Sequence, residues 1–205
     1  MSYISRNLET VVENVTREYP VVLVTGPRQV GKTTMLQKLM KNHPRSYVTL
    51  DDLTERDLAK NDPELFLQLH KPPILIDEVQ YAPELFTYIK IYVDSHQEPG
   101  AFWLTGSQIF KLMRGVQESL AGRVAVLSMT SLSQSEMSGA PMSPFKITLD
   151  SLLSREKQRT KTDTHGIFER IHKGSMPAIA SGINTNSQIF YSSYLSTYIE
   201  RDVKE

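Results

Sequence analysis

Pro20-Val21-Val22-Leu23-Val24-Thr25-Gly26-Pro27-Arg28-Gln29-Val30-Gly31-Lys32-Thr33-Thr34 decides the reading of this chain. Its first part is an apolar, β-branched run of strand length, and a strand buried on both faces reads as such a run rather than as an alternation. From Lys32 the period changes, because Met35, Leu36, Leu39 and Met40 recur at helical spacing. A glycine loop that joins a strand to a helix turns backbone N–H groups and the helix N-terminus toward one anion. Gly26 and Gly31 permit the tight turn, Lys32 matches the charge of β- and γ-phosphates, and the Thr33 hydroxyl suits Mg²⁺. The segment Gly26, Pro27, Arg28, Gln29, Val30, Gly31, Lys32, Thr33 and Thr34 is therefore the candidate cradle for a nucleoside triphosphate. The plainer alternative is a glycine turn with an incidental lysine.

Working outward, Leu8, Val11, Val12 and Val15 give one apolar helical face ahead of the first strand. Ser46-Tyr47-Val48-Thr49-Leu50 is a second strand, ending in Asp51-Asp52, and Asp62-Pro63 has the cap-then-proline form of a helix start. Pro72-Pro73-Ile74-Leu75-Ile76 is another buried-strand run, followed by a helix carrying Leu85, Phe86, Ile89 and Val93. Ala101 to Thr105 and Val124 to Leu127 supply a fourth and a fifth strand. Strands that alternate with helices imply a mostly parallel five-stranded sheet in a three-layer α/β fold. Beyond Pro141 and Pro144 the pattern turns helical, and Ile189, Phe190, Tyr194, Leu195, Tyr198 and Ile199 form an aromatic stripe that needs a cover. The expected division is a nucleotide-binding domain over 1–140 and a connector with a helical, lid-like segment over 141–205.

Hydrolysis of a nucleotide needs an acidic element on a neighbouring strand, and Ile74-Leu75-Ile76-Asp77-Glu78 places carboxylates at a strand tip. Asp77 suits the Mg²⁺ shell, and Glu78 is placed to polarise an attacking water, which favours hydrolysis over phosphoryl transfer to a second substrate. The strand ending in Thr105-Gly106-Ser107-Gln108 fits an additional central strand between the loop strand and the acidic strand. Thr105, Ser107 and Gln108 at its tip are candidate γ-phosphate sensors, or plain turn formers. Arg123, between a helix and the fifth strand, reads either as an arginine finger in its own or a neighbouring subunit, or as a surface arginine in an ion pair.

Composition narrows the classes. Lys+Arg and Asp+Glu are both 23 in 205 residues, so no global charge draws the chain to nucleic acid or an anionic membrane. Arg155, Lys157, Arg159 and Lys161 are a basic cluster, but Glu156 lies among them and no aromatic residue interleaves, which fits a solvated connector. The absence of cysteine excludes disulfides, thiol catalysis and thiolate metal sites. His43, His70, His96, His165 and His172 are scattered without a close ligand pair, and no Gly-x-Ser-x-Gly elbow occurs. No run reaches the roughly 18 apolar residues of a membrane span, so a cytoplasmic location is expected. No Asn-Lys-x-Asp guanine-reading motif is present, and no acceptor site for a small-molecule kinase is evident.

Gly26-Pro-Arg-Gln-Val-Gly-Lys-Thr-Thr34, Leu50-Asp51-Asp52, Ile74-Leu-Ile-Asp-Glu-Val-Gln80, Leu104-Thr-Gly-Ser-Gln108, Leu120-Ala-Gly-Arg-Val124 and Tyr198-Ile-Glu-Arg-Asp-Val203 together resemble a family. It is that of AAA-like P-loop ATPases of bacteria and archaea with a nuclease-like C-terminal domain of unknown function. The resemblance implies an AAA-type sheet and Mg-ATP hydrolysis, with Lys32, Thr33, Asp77 and Glu78 in their usual roles. It also makes Gly174-Ser175-Met176-Pro177 and the last helix part of a lid or connector. In the family the Tyr-Ile-Glu-Arg-Asp-Val helix leads into the second domain, so the expectation is either a chain truncated before that domain or an ATPase module that acts with a separate effector. Two functions follow as expectations. One is an ATPase whose cycle drives a conformational change in a partner, either a homo-oligomer or a separate effector. The other is a nucleotide-gated regulatory module with little activity of its own.

Overall fold

A computed structural model describes residues 3–107, 116, 119–139, 146–157 and 163–198. Gln108, Pro141, Pro144, Arg159, Lys161 and the stretch from Ile199 to Val203 lie outside the described residues. The loop strand, β1 (Val21–Thr25), is buried throughout, as its unbroken apolar run requires. It pairs on both sides, with β4 (Phe102–Gly106) and β5 (Val124–Ser128), so Val21 stands beside Phe102 and Val124 while Thr25 stands beside Gly106 and Ser128. β3 (Ile74–Asp77) pairs with β4, and β2 (Ser46–Thr49) with β3, giving the order β2-β3-β4-β1-β5 with every pairing parallel. The strand ending at Thr105-Gly106 is thus the inserted central strand, between the loop strand and the acidic strand. The central strands β1, β3 and β4 are wholly buried, as their apolar runs imply, while β2 and β5 are partly exposed, β5 in spite of the equally apolar run Val124–Leu127.

Alternation along these strands builds the two covered faces. Leu23, Ile74, Ile76, Phe102 and Leu104 share one core with Ala59, Phe66, Leu85, Phe86 and Ile89. Those partners come from α3 (Leu53–Asn61), α4 (Pro63–Leu69) and α5 (Leu85–His96). On the other side α1 (Leu8–Thr16) packs on β1 and α2 (Lys32–Leu39) on β4, with Val12, Met35, Leu36 and Leu39 buried. Each large apolar side chain so buried contributes about 2 kcal/mol. Val11 is 41% exposed, so the N-terminal stripe is narrower than its spacing suggests. The cap at Asp62 forms as expected: its carboxylate accepts from the Leu65 N–H, and Pro63 takes the first helical position.

The chain divides into two compact units. One is Arg6–Thr130; the other comprises Tyr3–Ser5 and the described residues from Ser131 onward. The first unit runs past β5, the Met129 N–H donating to the Thr25 carbonyl at 2.8 Å. In the second unit, α6 (Gln134–Ser138) starts at a capping box between Ser133 and Glu136. α7 (Leu149–Lys157), α8 (Thr164–Lys173) and α10 (Ser187–Tyr198) bury no residue, whereas α9 (Pro177–Ala180) buries Ile179. Ile189 and Leu195 of the aromatic stripe are exposed. Among the described residues no helix is long and apolar enough to cross a membrane.

Candidate functional site

All the strands being parallel, their C-terminal ends form one edge, and the loop and the acidic pair meet there. Between β1 and α2 the backbone turns through positive φ at Gly26 (142°), Gln29 (60°) and Gly31 (94°). A Cβ at Gly26 would lie 2.0 Å from the Met129 carbonyl oxygen, so only glycine fits where the loop leaves the sheet. Val30 is buried and anchors the loop, while Pro27 and Gln29 are exposed and Arg28 is half-buried. Lys32 opens α2 and is buried; its ammonium donates to the Gly26 and Pro27 carbonyls at 2.9 and 2.8 Å. Desolvation pushes its pKa below the ordinary lysine value, against the opposing pull of the Glu78 and Asp77 carboxylates.

Thr33 reaches across to the acidic strand. Its hydroxyl donates to Asp77 Oδ1 at 2.7 Å, and the Thr105 hydroxyl donates to the same oxygen. Asp77, only 6% exposed, therefore ties α2, β3 and β4 together. Its other oxygen accepts from the Tyr47 hydroxyl at 3.4 Å, and burial followed by the Asp77 charge raises the Tyr47 pKa. Glu78 takes a left-handed backbone, φ 57°, uncommon for a residue with a side chain. The Glu78 N–H donates to Thr105 Oγ1 at 3.1 Å. Its carboxylate accepts from the Ser107 hydroxyl at 3.1 Å and from the Gln80 amide, and that amide also reaches Ser107 Oγ at 3.3 Å. Gln80 Oε1 is buried without a hydrogen-bond partner, as is Thr25 Oγ1 at the end of β1. Unsatisfied buried oxygens of this kind gather where a further polar group is expected.

The geometry thus brings together Gly26, Lys32, Thr33, Asp77, Glu78, Thr105 and Ser107. Thr34 lies exposed in the first turn of α2. Arg123 is elsewhere. It directly precedes β5, and its carbonyl accepts from the Val21 N–H at the start of β1, at the opposite end of the sheet from the loop. The length of β1 separates the two, roughly 13 Å. Its guanidinium grips Asp94 of α5 at 2.5 and 3.1 Å, a contact that raises the Arg123 pKa and lowers that of Asp94. Within its own subunit the arginine is an ion-paired surface group and not a finger. Three further residues received no role from the sequence: Tyr47, Gln80 and Arg6. Gln80 stood inside the quoted acidic motif; Tyr47 and Arg6 carried no spacing signal.

A hydroxyl and a carboxylate joined at the loop helix are hard oxygen donors of the type Mg²⁺ takes. Among the described residues no three His, Cys, Asp or Glu side chains converge, so such an ion would draw its remaining ligands from phosphate and water.

Residues 18–138 match the model of the AAA domain family. The chain is 30% identical over 187 residues to "Uncharacterized protein Mb2031c" of Mycobacterium bovis and, to the same degree, to "Uncharacterized protein Rv2008c" of Mycobacterium tuberculosis. Each alignment takes in 91% of this chain but 36% of the relative, so the chain spans about a third of their length. Among solved structures it resembles "the walker-type ATPase" PABY2304 of Pyrococcus abyssi, with a TM-score of 0.56 and 16% identity over 95% of this chain and 72% of that one, a likeness of fold. With the family match covering the loop, the acidic strand and the parallel sheet that joins them, the chain belongs to the AAA domain family of P-loop nucleotide-binding proteins.

Proposed function

We propose that this chain binds ATP with Mg²⁺ and hydrolyses it, and that the cycle drives a conformational change in a partner or effector. The observation that carries the reading is the 2.7 Å bond from Thr33 to Asp77, which joins the phosphate loop to the acidic strand one residue before Glu78. In this reading the loop N–H groups and the Lys32 ammonium bind the phosphates. Thr33 and Asp77 would hold Mg²⁺, which supplies charge neutralisation on the phosphate oxygens when bound. Glu78 accepts the proton of the attacking water at its carboxylate, and Gln80 and Ser107 orient that carboxylate. Thr105 and Ser107, at the tip of the inserted strand, sense the γ-phosphate.

The test is steady-state ATPase rate beside equilibrium binding of Mg-ATP. Glu78→Gln should keep affinity and lose turnover by about 100-fold or more, the usual worth of a general base. Undiminished turnover would remove Glu78 from the mechanism. Two observations favour a second reading, a nucleotide-gated module with low activity alone. The Glu78 carboxylate is already held by Gln80 and Ser107, and Arg123 stands at the far end of its own sheet. A neighbouring subunit is then the route by which Arg123 would complete the site.

A further inference from the structure

Arg6 precedes α1 and is 8% exposed, a burial that a guanidinium tolerates only when its donors are satisfied. One Nη donates to the Val30 carbonyl at 2.6 Å, 24 residues away, inside the phosphate loop. The other donates to the Thr130 carbonyl at 2.7 Å, two residues beyond β5. Charge-assisted bonds of this length are about twice as strong as neutral ones. The Arg6 backbone is itself fixed: its N–H donates to Glu9 Oε1 at 2.5 Å, and Glu9 Oε2 accepts from Lys38 on α2 at 3.2 Å. The guanidinium therefore stands between the end of β5 and the loop, while the Arg6 backbone is tied through Glu9 to the helix that the loop opens.

The Val30–Gly31 peptide is the point at which this matters. In a planar trans peptide the N–H of one residue points opposite to the preceding C=O. With the Val30 carbonyl held against Arg6, the Gly31 N–H faces away from the guanidinium. The peptide is also able to turn over, because Gly31 sits at φ 94° and has no side chain to restrict its φ. A flipped peptide would present a carbonyl oxygen, not an N–H, to an anion.

We propose that Arg6 is a positioning residue for the phosphate site. By clamping the Val30 carbonyl it holds the Val30–Gly31 peptide in the orientation that offers the Gly31 N–H to phosphate. The inference rests on the reading of the loop as an ATP cradle. Arg6 need not touch the nucleotide, and its own position is set by Thr130 and Glu9.

The experiment combines Mg-ATP binding with amide NMR of Gly31 in the native chain, Arg6→Gln and Arg6→Lys. Removing one oriented N–H from a charged phosphate should weaken Mg-ATP binding by about ten- to a hundredfold in Arg6→Gln. The Gly31 amide should shift on adding Mg-ATP to the native chain and stay unmoved in that variant. Arg6→Lys keeps the charge and one carbonyl bond, so it folds and recovers part of both signals; it carries the test alone if Arg6→Gln does not fold. A purely structural role would lower the unfolding midpoint and leave the Gly31 response intact. Folded variants with native affinity and a native Gly31 shift overturn the proposal while leaving the ATP reading untouched. A native chain that does not bind Mg-ATP overturns both, and a native chain that binds while Lys32→Ala does not upholds the cradle independently of Arg6.

Discussion

Gly26→Ala is the substitution whose cost the structure specifies most closely. The added Cβ would lie 2.0 Å from the Met129 carbonyl oxygen, 3.1 Å from its carbon and 3.4 Å from its nitrogen, against the 3.4 Å at which ordinary contact begins. The obstacle is backbone, so no rotamer change relieves it. Met129 cannot simply withdraw, because its N–H donates to the Thr25 carbonyl at 2.8 Å, immediately beside Gly26. Separating the two breaks that bond at about 1 kcal/mol, forces the packing at about 1–3 kcal/mol, and leaves alanine at φ 142° at a further 1–3 kcal/mol or so. The expected loss is about 3–7 kcal/mol, a large share of the roughly 5–15 kcal/mol that holds a domain together.

Two other glycines separate the components. A Cβ at Gly122, φ 76°, meets nothing within 4 Å, so Gly122→Ala bears the backbone strain alone, about 1–2 kcal/mol. Gly31, φ 94°, has its nearest neighbours at 3.9 and 4.0 Å; Gly31→Ala should cost about as much in stability as Gly122→Ala and more in nucleotide binding. Urea unfolding followed by Trp103 emission measures all three, since that residue is the single tryptophan of the chain and is fully buried in β4. If Gly26→Ala unfolds within about 0.5 kcal/mol of Gly122→Ala, the packing of the loop on Met129 is not rigid and the argument fails.

Lys32 carries a pH prediction. Its ammonium is the form that binds phosphate, and burial lowers its pKa below the ordinary 10.5, so Mg-ATP affinity should fall as pH climbs through that lowered value, before pH 10.5 is reached. Lys32→Arg should show no such fall, and a flat native profile up to pH 10.5 would contradict the shift. For Arg123, ATPase rate per subunit should rise with protein concentration in the native chain and stay low in Arg123→Ala; a concentration-independent native rate counts against a role across subunits. Asp62→Ala removes the cap that opens α4 and should cost about 1 kcal/mol in urea unfolding, with Mg-ATP affinity unchanged.

The sheet was legible because its signals are local. A strand buried on both faces reads as an apolar run, and Val21–Val24, Ile74–Ile76 and Phe102–Leu104 are such runs in the three wholly buried strands. Val124–Leu127 of β5 is equally apolar yet partly exposed, so a run marks a strand without fixing its place in the sheet. The loop is legible for the same reason, its strand, turn and helix start being contiguous. Even the partner of Thr33 could be inferred, since Asp77 ends a run of buried-strand type and parallel strands share one C-terminal edge. The same rule bears on Arg123. A residue that precedes a strand in an all-parallel sheet sits at the edge opposite a loop that follows one, so the position of Arg123 relative to the nucleotide loop is already implied by strand direction.

Arg6, Gln80 and Tyr47 are a different matter. Arg6 bonds the carbonyls of Val30 and Thr130, and a carbonyl is presented by every residue, so neither partner's identity encodes the contact. Tyr47 meets Asp77 through the register of β2 on β3, where Tyr47 stands beside Leu75 and Val48 beside Ile76, a pairing that no spacing within either strand reveals. Gln80 lies two residues from Glu78 yet turns back on it because Glu78 adopts φ 57° and a short 3₁₀ turn, Val79–Tyr81, follows. The residues that would meet ATP directly are written in types and spacings, since phosphate and Mg²⁺ demand particular groups. Those that hold them in place act on main chain or through backbone geometry, and Arg6 is the case in which that distinction is open to experiment: an arginine that never contacts the nucleotide should still decide which atom of the Val30–Gly31 peptide the phosphate meets.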